Sequence, residues 1–140
     1  MPELAVEITR DEYRQFFLEA RRGDTRVGYA EGYEHSPDTI FIKWLGVEPR
    51  YRRHGYGTVM VQKVEQFAIQ SGYHSIALQP RDRRSASFWA AMGYQMRQGD
   101  QYGYWFRQLE DLDLIPNRPD VGPPLPRQAR VFWPGRPQEP

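Results

Sequence analysis

The stretch that most constrains this chain is Trp44-Leu-Gly-Val-Glu-Pro-Arg-Tyr-Arg-Arg-His-Gly-Tyr-Gly-Thr58. An apolar run over 39–47 reads as a β-strand and stops at Pro49, which has no N–H to give a sheet ladder. A basic turn follows, then Gly55 and Gly57 around Tyr56, and at once a long amphipathic segment. Strand, glycine-rich turn and helix start in that order expose backbone N–H groups and a positive dipole end to an anion. Arg50, Arg52, Arg53 and His54 add side-chain charge at the same place.

The order of elements around it defines the fold class. The chain opens on an alternating pattern: Leu4, Val6 and Ile8 interleave with Ala5 and Glu7, the period of a half-buried strand. Thr9-Arg-Asp-Glu12 then has capping-box form, and Tyr13, Phe16, Phe17 and Ala20 follow at helical spacing up to Gly23. The spacing predicts a helix here; the competing pattern, Phe16, Leu18 and Ala20 in alternation, is a strand turning at Gly23-Asp24. Residues 26–34 and 39–47 read as a hairpin around Ser36-Pro37-Asp38, with Ile40, Ile42 and Trp44 expected on one face and Phe41 and Leu45 on the other. Met60, Val61, Val64, Phe67 and Ala68 form a helical stripe ended by Gly72, and residues 75–79 are a short strand. This strand–helix–strand unit predicts two parallel strands, with ligands at their carboxyl ends near Val47 and Gln79. A second helix over 85–92 stops at Gly93, and residues 94–97 and 102–109 read as a final hairpin. The predicted body is a mixed α/β sheet flanked by two or three helices.

Composition narrows the function. At 140 residues, 39% hydrophobic, the chain is large enough for one domain. Its formal net charge of +1 argues against general nucleic-acid binding. The absence of cysteine removes disulfides, thiolate nucleophiles and cysteine metal sites, and three scattered histidines predict no metal. With no long apolar run and no signal-like start, a cytoplasmic protein without membrane contact is expected. Eight of the twelve prolines lie after Ile115, so residues 1–112 are expected to be the domain and 113–140 a proline-rich tail, extended over 119–126. Val131-Phe-Trp133 is an apolar anchor within that tail, one that a merely solvated segment does not require.

No P-loop string is present, and Met60 stands where a dinucleotide fingerprint needs its third glycine. What fits is Arg52-x-x-Gly55-x-Gly57 after Val47-x-Pro49. This resembles the pyrophosphate-binding motif of the GNAT superfamily of N-acetyltransferases, which use acetyl-coenzyme A. Ser85-Ala-Ser-Phe88-Trp89-Ala-Ala-Met-Gly93-Tyr94 is similar to a second segment of that family, a helix with an aromatic pair ending in Gly-Tyr. The two motifs cover Trp44 to Tyr94, about half the chain. The resemblance implies a GNAT fold, with the pantetheine arm along Leu45, Gly46 and Val47. The pyrophosphate would lie on Arg52, Arg53, His54, Gly55, Tyr56, Gly57 and Thr58, with Ser85, Phe88 and Trp89 on the other wall. The implied reaction is acetyl transfer to a primary amine of a small molecule or a protein.

One departure from the family pattern matters. Many members carry a proton-donating tyrosine where this chain has Trp89, and an indole is a poor acid. Tyr94 and Tyr102 are the substitutes in sequence. The strand over 40–47 has no carboxylate for a general base, leaving Glu31, Glu34 and His35 as candidates, so no catalytic side chain is assigned. A non-catalytic acyl-coenzyme A sensor of the same fold is the alternative. The aromatic-rich final hairpin and tail fit a homodimer.

Overall fold

A computed structural model describes residues 4–110. Seven strands form one sheet, in the order β1-β2-β3-β4-β5-β7-β6. The strands are β1 (Leu4–Arg10), β2 (Gln15–Arg22), β3 (Thr25–Ser36), β4 (Thr39–Val47), β5 (Ser75–Leu78), β6 (Gln95–Met96) and β7 (Trp105–Gln108). Helix α1 (Tyr56–Gln70) joins β4 to β5, which pair in parallel, and α2 (Arg83–Ala91) follows β5; the other neighbours are antiparallel. The expected boundary at residue 112 and the proline-rich tail lie outside the described residues.

The segment after Thr9 is a hairpin, not the predicted helix. Asp11 is the reason: its Oδ1 accepts from the backbone N–H of both Tyr13 and Gln15, at 2.9 Å each. Such side-chain capture of nearby amides competes with a helical ladder and favours a turn. Arg14 completes the reversal with φ 62°. Beyond the turn, Phe16, Leu18 and Ala20 alternate into the core and pair with β3, as in the competing strand pattern.

That core lies between the sheet and both helices. Ile8, Leu18, Ala30, Ile40, Ile42, Ile76 and Leu78 meet Met60, Val61, Val64 and Phe67 of α1 and Trp89 of α2. Each fully buried aliphatic side chain contributes roughly 1.5–3 kcal/mol over exposure.

The decisive irregularity is in β4. The β3–β4 register runs Glu31↔Trp44 and then Gly32↔Ile42, so Lys43 is an extra residue. A bulge of this kind bends the strand, sharpens its twist and exchanges its faces. Leu45 and Val47 therefore turn toward the core, whereas Trp44 joins Tyr29, with stacked rings 6.1 Å apart, on the opposite face. The expected grouping of Trp44 with Ile40 and Ile42 fails for this reason. Pairing of β4 with β5 ends at Ile42↔Leu78, just before the bulge, and β4 continues to Val47 with β5 no longer beside it. The sheet opens at this point.

Candidate active site

The opening widens into a cleft of about 670 Å³. Its walls are the end of β4 (Trp44 to Val47), the turn residues Tyr51, Arg52 and Arg53 with Gly55 to Thr58, and the approach to and start of α2 with Arg81, Asp82, Arg84, Ser85, Phe88 and Trp89. The volume lies within the ordinary range of small-ligand sites.

The β4 wall presents backbone. Glu48 N–H donates to Val27 O at 2.8 Å, toward β3. Alternation along a strand then directs the polar groups of Val47 and Leu45 away from β3, into the cleft. Arg52 Nε donates to Val47 O at 3.1 Å, which ties the basic turn to the strand end.

The opposite end is the N-terminus of α1. Gly55 is its N-cap in the left-handed region, φ 79°, and no side chain caps the helix. The first helical hydrogen bond is Val59 N–H to Gly55 O at 3.2 Å, so the amides of Tyr56, Gly57 and Thr58 precede it at the cleft wall. The first turn carries no acidic residue, while Arg52, Arg53 and Arg84 line the same cleft. An anion is favoured there by both dipole and charge.

The two glycines act differently. A Cβ on Gly55 would meet nothing within 4 Å; glycine is needed there for its positive φ. A Cβ on Gly57 would stand 3.5 Å from the Phe88 ring, filling the space between the helix start and α2. An acid-free helix start beside Arg52, Arg53 and Arg84 suits a diphosphate, so the residues present fit a coenzyme A.

The sequence profile of the acetyltransferase (GNAT) family matches residues 2–94. The chain belongs to the GNAT acetyltransferase family. Solved structures with this GNAT fold include a GNAT-family acetyltransferase from Staphylococcus aureus Mu50, 17% identical over 69% of this chain and 69% of that one, TM-score 0.61. The PaiA N-acetyltransferase of Thermoplasma acidophilum, solved in complex with coenzyme A, is 17% identical over 68% of this chain and 61% of its own, TM-score 0.60. AtaTR bound with AcCoA is 13% identical over 81% of this chain and 98% of its own, TM-score 0.64. No curated protein matches the sequence.

Within the GNAT domain, the structure brings Leu45, Gly46, Val47, Arg52, Arg53, Gly55, Tyr56, Gly57, Thr58, Ser85, Phe88 and Trp89 together around one cleft. His54 does not line it; its ring stacks on Tyr56 at 5.7 Å. Trp44, Tyr51, Arg81, Asp82 and Arg84 line the cleft as well, although the motifs do not mark them as binding residues. Arg81 and Arg84 are legible as a basic turn, but Arg83 beside them does not line the cleft. Arg81 lies over the Trp44 ring at 4.1 Å, a cation–π contact that only the bulge makes available.

Neither phenol proposed from sequence as a stand-in for the missing tyrosine reaches the cleft wall. Tyr94 is buried, donates its hydroxyl to Glu65 Oε2 at 3.1 Å, and has its pKa pushed far up by desolvation. Tyr102 is exposed, its carbonyl accepting from Gln79 Nε2. Tyr94→Phe is expected to leave coenzyme affinity unchanged and to lower stability by about 1–3 kcal/mol in urea unfolding, because it takes a donor from a buried carboxylate.

The carboxylates proposed as bases fare no better. Glu34 accepts from Tyr73 and from Arg14, which hold its carboxyl below the usual range. His35 packs against Phe41 and Tyr104. Glu31 is buried rather than solvent-facing, on the face opposite the helices and in register with Trp44. Asp82 is the sole carboxylate lining the cleft among the described residues, and its Oδ1 caps α2 through the Ser85 N–H at 2.8 Å.

Proposed function

We propose that this protein transfers the acetyl group of acetyl-coenzyme A to a primary amine of a small molecule or a protein. One observation carries the reading: an open strand edge and an acid-free helix N-terminus share a single arginine-lined cleft. Bound acetyl-coenzyme A supplies a thioester carbonyl and a thiolate leaving group.

The chain's own contributions follow from its donors. The edges of Leu45 and Val47 hydrogen-bond an amide-bearing arm as a further strand would. The carbonyl of Val47 is already held by Arg52, and its N–H is the donor available to polarise an acyl oxygen. The amides of Tyr56, Gly57 and Thr58, with Arg52, Arg53 and Arg84, hold the diphosphate. Phe88 and Trp89, with ring centroids 5.1 Å apart, shield the cleft from water on the α2 side.

Calorimetric titration with acetyl-coenzyme A, followed by thiol release across a panel of amines, tests the reading. Binding with turnover on at least one amine is expected; no binding overturns it. Removal of one charge-assisted donor in Arg52→Ala should weaken the coenzyme about tenfold and flatten the salt dependence of binding.

A second reading is favoured by Trp89 and by the engagement of Asp82 in capping α2. It is an acyl-coenzyme A-binding module without catalysis, and tight binding with no turnover on any amine would select it.

A further inference from the structure

We propose that Val131-Phe132-Trp133 docks, within its own chain, on the face of the sheet opposite the two helices. This face is apolar in its own right. Phe17, Tyr29 and Phe41 are only 8%, 5% and 8% exposed, yet none belongs to the core cluster that α1 and α2 help to build. Both helices deliver their apolar residues to the other side. The rows that cross the face are Phe17–Glu31–Trp44 and Tyr33–Phe41–Ala77–Phe106. A sheet apolar on both faces calls for a layer on each.

The length of chain and its exit point select the occupant. Leu109 N–H donates to His74 O at 2.9 Å, so the described chain ends beside the start of β5, in the middle of the sheet. Twenty residues, 111–130, separate Glu110 from Val131. They can span roughly 60 Å if extended, whereas β5 and β2 are three strand spacings, about 14 Å, apart. The stretch 119–126 holds four prolines, which limit the conformational freedom lost on docking.

Charge on this part of the face is mixed, with Glu19 bonded to Arg21 and Arg26 over the Tyr29 ring. Exposed Glu7, in the row of Glu19 and Tyr29, is the carboxylate that the flanking Arg127, Arg130 and Arg136 would meet. A short tether also gives the chain's own segment a millimolar-scale local concentration, an advantage over a second molecule.

The natural absence of cysteine makes a single nitroxide label clean. We would place it at Gln128→Cys in the full chain and record paramagnetic broadening of backbone amides. Broadening of Phe17, Tyr29 and Phe41 is expected, with loss of that broadening when Phe132→Asp and Trp133→Asp are added. No broadening on this face, or broadening that survives the two aspartates, overturns the proposal. So does broadening seen only between labelled chains and isotope-labelled, nitroxide-free chains, which would assign the face to a second copy. The readout does not depend on coenzyme binding or turnover, so its failure and failure of the acetyltransferase reading are separable.

Discussion

Gly57→Glu should lose coenzyme A binding while keeping or gaining thermal stability. The added Cβ would contact the Phe88 ring at an ordinary 3.5 Å, and φ at this position is not positive, so the backbone tolerates it. The rest of the side chain then occupies the cradle at the start of α1 with the wrong charge. Loss of the diphosphate contacts and repulsion of the anion together are expected to weaken binding at least about a hundredfold, or about 2.7 kcal/mol. The same carboxylate sits in the first turn of a helix that has no acid there, a placement worth about 0.3–1 kcal/mol in its favour. Calorimetry and a thermal melt on the same sample check both halves. Unchanged affinity would move the diphosphate away from this turn.

Gly32→Ala should have the opposite profile, a stability loss of at least about 3 kcal/mol. A Cβ at this position would lie 2.0 Å from the backbone oxygen of Phe41 and 2.5 Å from Phe16. Backbone on one side and a buried ring on the other leave no flexible end to yield. Gly32 also faces Ile42 where the register of β3 and β4 shifts, so the strain falls next to the mouth of the cleft. Equilibrium urea unfolding gives the magnitude, and a variant as stable as the native chain would show that the strands can part there without cost.

The coenzyme end of the site is legible in the sequence because its requirements are local. A proline ending a strand, glycines at two spacings and arginines between them each constrain the backbone within a few residues. The first forty residues are harder for the same reason in reverse. Thr9 and Glu12 have the form of a helix start, but the side chain of Asp11 captures two amides and reverses the chain, and the pairing with β3 that makes Phe16 to Ala20 a strand is non-local. Trp44 is misplaced by alternation because alternation assumes an unbroken register, and nothing in the identity of Lys43 announces an inserted residue. The phenols illustrate a further limit: Tyr94 stands in a motif, yet its hydroxyl belongs to α1 through Glu65.

What position 43 supplies is length: Lys43, exposed, stands between the paired positions Ile42 and Trp44. Omission of the residue would make the ladder between β3 and β4 continuous with every pairing kept, Trp44 still opposite Glu31 and Leu45 still opposite Ala30, and would take away the bend that the bulge gives β4. A one-codon deletion there would thus spare the sorting of side chains between the two faces and close the gap through which β4 parts from β5.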